Sequence, residues 1–150
     1  MARVKVQAAA FDVGAEMAAL AAGQPGAGGV GCFVGLVRDD PARPLAALTL
    51  EHYPGMTERA IAGLCAEAER RWALAGCTVI HRVGRLPVGA PIVLVLAAAA
   101  HREAALAATG FLIDWLKTRA PFWKRTEYAD GGSEWVAAQA ADEAAARRWE

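Results

Sequence analysis

The chain has few of the residues that mark a metalloprotein, a redox protein or a nucleic-acid-binding protein. It holds three histidines and three cysteines in 150 residues, and neither type shows the short spacing of a metal or redox motif. Its 16 basic and 16 acidic residues balance to a formal net charge of zero, which argues against the broad basic surface that binds nucleic acid. We therefore expect no metal and no nucleic-acid partner, and any bound anion should be small and held in a local pocket.

Long hydrophobic stretches are also missing. The longest apolar run, residues 92–100, is far too short to cross a bilayer as a helix. The first residues alternate like a strand and lack the apolar segment of a signal peptide. Cys32, Cys65 and Cys77 stand in apolar surroundings, so we expect small buried thiols in a reducing compartment. These features predict a soluble cytoplasmic protein with no membrane partner.

The composition is that of a folded domain. Hydrophobic residues make up 55% and charged residues 21% of the chain, and its length suffices for one hydrophobic core, so we expect a single domain over residues 1–150. Asp12 should cap a first helix that ends near Ala22. Thr57 should cap a second helix, without a capping box, and Gly76 should end it.

The third predicted helix, residues 101–118, is the longest. Gly110 inside it suggests close packing against another backbone, since a mid-helix glycine costs about 1 kcal/mol relative to alanine. Pro121 disfavours helical backbone at the residue before it and should end the helix. A hairpin around residues 130–132 and a tail over 140–149, either a short helix or a frayed end, complete the chain. Interleaved strands, with the apolar run 92–100 at the centre, predict an α+β domain with a mostly antiparallel sheet.

A cluster of cations surrounds the end of this third helix. Lys117 and Lys124 are two of only three lysines in the chain, and Arg119 and Arg125 lie beside them. Lysine, unlike arginine, readily loses its proton when it is buried or crowded by other cations. The cluster indicates an anionic-substrate site with at least one amine that does chemistry, although cations also occur at helix C-termini simply because the macrodipole favours them.

Several strings, taken together and in order, resemble the large, catalytic subunit of molybdopterin synthase. Each string alone is weak evidence for the family, but the 12-residue run at 114–125 and the string LEHYPGM are specific. The matching segments are FVGLVR (33–38), LTLEHYPGMTERA (48–60), VIHRVGRLPVG (79–89), HR (101–102), DWLKTRAPFWKR (114–125) and WV (135–136).

The resemblance implies a fold, a reaction and partners. The fold would be α/β hammerhead-like with an added antiparallel β subdomain, assembled as a homodimer that binds two small β-grasp sulfur-carrier subunits in a heterotetramer. The carrier's C-terminal Gly-Gly thiocarboxylate would enter a pocket and deliver two sulfurs to cyclic pyranopterin monophosphate, which yields the dithiolene of molybdopterin. The family uses no metal and no ATP in this step, so the resemblance implies no cofactor.

The resemblance also implies site residues. Lys117 and Lys124 match the family's two catalytic lysines, and Lys124 would also hold phosphate or pterin. Arg38 would help to bind the anion, and His101 with Arg102 would reach the site of the neighbouring protomer. An alternative is a non-catalytic module of the same fold that binds a β-grasp partner or a small phosphorylated ligand. Two lysines favour the enzyme, because anion binding alone could use arginine.

Overall fold

The computed structural model describes residues 2–150, which form four helices and eight strands arranged in two sheets. The elements in chain order are β1 (Ala2–Gln7), α1 (Val13–Ala22), β2 (Gly29–Leu36), β3 (Leu45–His52), α2 (Met56–Trp72), β4 (Gly76–Arg82), β5 (Gly84–Pro87), β6 (Pro91–Ala99), α3 (Arg102–Arg119), β7 (Phe122–Tyr128), β8 (Ser133–Trp135) and α4 (Ala140–Arg147).

The first sheet has the strand order β1-β4-β6-β2 and contains the main core. Only the β1–β4 pair is parallel, and the other pairs are antiparallel. Strand β6 lies between two neighbours and is buried over most of its length, as its nearly all-apolar sequence predicts. Helices α2 and α3 cover one face of this sheet, where Val79, Val95 and Phe111 belong to the main cluster of buried side chains.

The second sheet has the order β5-β3-β7-β8, and all of its pairs are antiparallel. It is the added antiparallel unit of the predicted α+β architecture, which the structure confirms. Its edge strand β5 is short, and residues 84–87 pair with β3 through a register that reaches from Leu50↔Gly84 to Ala47↔Pro87.

The boundaries of α2 correct two expectations. The N-cap is Gly55 rather than Thr57, with a φ of 84° that glycine adopts readily, and its backbone N–H donates to the Glu58 side chain at 2.8 Å. At the other end, Ala73 takes the left-handed conformation and closes the helix, while Gly76 already belongs to β4. Asp12, by contrast, caps α1 as expected, accepting a hydrogen bond from the Ala15 N–H.

Two side-chain expectations also change. A Cβ atom at Gly110 would lie 3.3 Å from the Trp149 indole, so this glycine makes room for a ring of the C-terminal tail and not for another backbone. Cys65 and Cys77 are buried as expected, but Cys32 on the edge strand β2 is exposed. Apolar neighbours in sequence do not bury a residue of β2, because this strand lies at the edge of the sheet and has a neighbouring strand on one side only.

Candidate active site

The two lysines come together because α3 ends between them. Lys117 lies in the last turn of α3, Ala120 has extended backbone (φ −92°, ψ 129°), and β7 begins directly after Pro121. The Pro121 carbonyl accepts a hydrogen bond from the Thr57 hydroxyl at 3.0 Å. This contact ties the connection to the start of α2, so the turn that sets the spacing of Lys117 and Lys124 is fixed from a second element.

Both lysines line one cleft of about 220 Å³. Elements α3 and β7 form one wall, and the segment that leads into α4 forms the other. The lining combines small side chains with two lysines, two carboxylates and an amide. The lining residues are Lys117, Thr118, Ala120, Phe122, Lys124, Val136, Ala137, Ala138, Gln139, Asp142 and Glu143.

The environment of Lys124 differs from that of Lys117. Lys124 is largely enclosed, and burial together with the positive charge of Lys117 lowers its pKa to about 8, against a smaller opposing effect of Asp142. Lys117 is exposed. The simple alternative for Lys117, a surface pair with Asp114, does not form, since that carboxylate accepts hydrogen bonds from Arg148 (2.5 Å) and from the Trp149 indole (2.7 Å). The Lys117 amine therefore remains available to a ligand in the cleft.

His81 of β4 is a neighbour of the lysine pair that the sequence motifs do not single out. Its ring stacks on Phe122 with centroids 3.8 Å apart, and its Nδ1 lies 2.8 Å from the Arg82 carbonyl oxygen. A carbonyl can only accept, so Nδ1 carries the proton and Nε2 is left as the acceptor. Burial above all lowers the pKa of His81 to about 4, and the charges of Lys124 and Lys117 act in the same direction. The His81 ring that stacks on Phe122 is thus uncharged at neutral pH.

Arg38 lies in an adjoining cleft rather than in the lysine cleft itself. It follows the end of β2 and lines a space of about 470 Å³ together with Tyr128 of β7 and residues of the segment before α4. Val136, Ala137 and Gln139 line both spaces. The segment 136–139 therefore separates the arginine from the lysines, and the two clefts are neighbours across it.

His101 and Arg102 stand at the opposite end of α3 from Lys117. His101 is the N-cap of this helix and Arg102 its first residue, and both are exposed. Fifteen residues separate Arg102 from Lys117, which corresponds to about 22 Å along a helix. One copy of the chain does not bring this pair to its own lysines.

Residues 2–150 lack two features that would indicate other functions. They contain no group of three or more His, Cys, Asp or Glu side chains arranged to hold a metal ion. None of the helices in this part of the chain is long and apolar enough to cross a membrane.

The fold and the cleft together define a class of α+β proteins, and comparison with known proteins identifies it. The family model described as "MoaE protein" matches residues 6–119. The chain therefore belongs to the MoaE protein family, as the sequence resemblance predicts.

The names of similar proteins identify the enzyme to which this family belongs. The molybdopterin synthase catalytic subunit of Cereibacter sphaeroides is 56% identical over 98% of this chain and 99% of that protein. A solved structure, the molybdopterin biosynthesis MoaE protein from Burkholderia ambifaria MC40-6, has 48% identity and a TM-score of 0.86 over 99% of this chain and 98% of that one. The family is that of the catalytic subunit of molybdopterin synthase, a transferase of molybdenum-cofactor biosynthesis, and the predicted enzyme function is confirmed.

A more distant structure shares the architecture. It is a complex of subunits 1 and 2 of molybdopterin-converting factor from Helicobacter pylori 26695, matched with a TM-score of 0.70 and 19% identity over 93% of this chain and 90% of that one. At this identity the likeness concerns the fold.

Proposed function

We propose that residues 1–150 act as one unit that transfers sulfur from the C-terminal thiocarboxylate of a small β-grasp carrier to cyclic pyranopterin monophosphate. The observation that carries this proposal is the lysine cleft, in which two amines of different burial face the same narrow space. Alanines at positions 120, 137 and 138 line it, and small side chains leave room for an extended Gly-Gly tail. The exposed rim and the second cleft leave room for the substrate beside that tail.

Lys117 and Lys124 are the catalytic residues of this proposal. An ammonium group beside the entering thiocarboxylate stabilises charge that develops as sulfur attacks the substrate. An amine with a pKa of about 8, as at Lys124, can both hold and release a proton near neutral pH, which suits the opening of a cyclic phosphate. Lys124 also contributes to phosphate or pterin binding, since it lies deeper in the cleft.

Arg38, His101 and Arg102 are the proposed anion-binding residues. Arg38 reaches the substrate from the adjoining cleft, past the segment 136–139. His101 and Arg102 lie about 22 Å from Lys117 on the same helix, so they serve a lysine cleft only if a second copy of the chain supplies them. We therefore include a homodimer in the proposal, with each protomer completing the other's site.

The carrier is a separate small subunit. Two observations support it: the relatives are named catalytic subunits, which implies a further subunit in the enzyme, and the cleft opens to solvent at the end of α3. We also place the reaction in the cytoplasm, because the free thiols of Cys32, Cys65 and Cys77 fit a reducing compartment.

Single-turnover sulfur transfer tests the proposal. The purified protein is mixed with a thiocarboxylated carrier and cyclic pyranopterin monophosphate, and both species are followed by mass spectrometry. We expect product with the wild type and a large loss of rate with Lys117→Ala, while carrier binding is unchanged. Carrier binding without product in the wild type would contradict catalysis and favour a docking module of the same fold.

The same assay tests whether a second copy of the chain supplies residues to the lysine cleft. Arg102→Ala and Lys117→Ala are each expected to be slow as homodimers, but mixing the two variants should restore part of the rate, since one cleft in the mixed dimer keeps both residues. Absence of any recovery, with subunit exchange demonstrated by mass spectrometry, would contradict the shared site.

A further inference from the structure

The C-terminal helix α4 is anchored to α3 by its far end. The Trp115 indole N–H donates to the Ala146 carbonyl at 3.0 Å, and both Arg148 and Trp149 donate to the Asp114 carboxylate. The Trp149 ring packs edge-on against Trp72, with centroids 5.6 Å apart. These contacts fix where the helix lies, and they leave its first turn to extend toward the end of α3.

That first turn forms one wall of the lysine cleft. Gln139 is the N-cap of α4, and Asp142 and Glu143 follow in its first turn. All three line the cleft opposite Lys117 and Lys124. Two carboxylates thus face two amines across a space that, under the proposed function, receives an anion.

The two carboxylates are not equivalent toward Lys124. The charge of Asp142 raises the pKa of Lys124, against burial and the charge of Lys117, which lower it. Glu143 is not among the groups that act on this pKa. No direct ion pair joins Lys124 to a carboxylate in residues 2–150, so Asp142 acts across the cleft.

The remaining ionisable neighbours do not replace Asp142. His81, on β4 behind Phe122, is neutral at neutral pH and becomes a further positive charge only in acid. Lys117, from α3, repels the Lys124 ammonium. Within the described chain, Asp142 is therefore the carboxylate that offsets the positive charge around Lys124.

We propose that Asp142 is a positioning residue of the sulfur-transfer reaction, a counter-charge carried into the cleft by α4 that favours the protonated form of Lys124. Asp142 lies in the wall of the cleft, and its proposed action is electrostatic, through the charge of the Lys124 amine. The inference has two halves. The electrostatic half, that Asp142 raises the pKa of Lys124, concerns the chain alone. The kinetic half, that this effect changes the rate of sulfur transfer, rests on the proposed function. A C-terminal segment outside the family-model match at residues 6–119 would thus tune the site.

The electrostatic half is measured without substrate. The full chain is labelled with trace acetic anhydride over a series of pH values, and the acetylation of Lys124 is quantified by peptide mass spectrometry, with Lys5 as the internal reference. Asp142→Asn should move the Lys124 labelling midpoint to lower pH by about 0.5 unit or more, because a neighbouring negative charge is lost. Asp142→Glu should restore it, and Glu143→Gln, which removes an adjacent charge of the same sign, should leave it near the wild-type value.

The kinetic half uses the single-turnover assay over the same pH range. Asp142→Asn should move the limb of the rate profile that reports Lys124 to lower pH by the same amount, whichever protonation state the reaction needs. Equal shifts for Asp142→Asn and Glu143→Gln, or no shift in labelling, would overturn the inference. Transfer by the wild type with an unmoved profile in Asp142→Asn would overturn its kinetic half and leave the proposed function standing. Absence of sulfur transfer in the wild type and in every variant would overturn the proposed function and the kinetic half together. The labelling experiment would then decide the electrostatic half separately.

Discussion

Replacing Lys124 by methionine should stabilise the protein at neutral pH while removing a catalytic amine. The pKa of Lys124 falls from 10.5 to about 8 in the folded chain, and one pH unit corresponds to about 1.36 kcal/mol. Holding this ammonium in the cleft therefore destabilises the fold by up to about 3 kcal/mol at pH values well below 8. Some of the side chain still reaches solvent, so we expect Lys124→Met to gain about 1–2 kcal/mol at pH 7, or roughly 2–8 °C in Tm.

The pH dependence gives this prediction its sign. Between pH 8 and 10.5 the unfolded chain binds more protons at Lys124 than the folded chain does, so the stability contributed by this residue rises with pH across that window. The advantage of Lys124→Met should accordingly be full below pH 8 and fade as pH approaches 10.5.

Urea unfolding of both proteins from pH 6 to 10 measures the difference. Lys5→Met, at an exposed position of β1, is the control and should change little. A difference that is zero at pH 7, or that stays constant with pH, would refute the reasoning that burial lowers this pKa.

Three further experiments, with four variants, probe the fold. The free energy of unfolding should fall less between pH 6.5 and 4 in His81→Phe than in the wild type. The buried imidazole has a pKa of about 4 in the folded chain, so the unfolded wild-type chain takes up more protons in that window. The slope of the unfolding free energy against pH measures the difference. Gly31→Ala should destabilise by about 2–3 kcal/mol or more, since its Cβ would lie 2.6 Å from the Ala105 carbonyl oxygen, whereas Gly63→Ala, with nothing within 4 Å, should gain up to about 1 kcal/mol in urea unfolding. Trp149→Ala should release α4, lower stability by about 2–3 kcal/mol and make the tail a site of rapid limited proteolysis.

Local sequence rules predict the parts of this fold that depend on local interactions. Asp12 caps α1, Pro121 ends α3, and the apolar run of β6 is central, because each follows from backbone geometry or from burial on both faces. The proximity of Lys117 and Lys124 is in the same category, since only a short connection separates them.

The rest of the site depends on pairing between distant segments. His81 follows apolar residues in β4 and has no motif around it. Its contact with Phe122 exists only because the start of β7 packs against β4. The role of α4 is equally hidden. An alanine-rich tail has no pattern that selects its docking surface, and the attachment depends on Asp114 and Trp149, which lie 35 residues apart.

The asymmetry of the two lysines originates in the break between them. In a continuous helix, residues seven apart lie on the same face, so Lys117 and Lys124 would both project into solvent from one stripe. Because Ala120 leaves the helical conformation before Pro121, Lys117 remains at an exposed helix end, where the macrodipole favours a cation. Lys124 instead lies in strand β7, and the tail encloses its side chain. Two identical amines thus acquire different environments from the break in the helix and from the packing of the tail, and Asp142 then acts on the one whose charge is destabilised by burial.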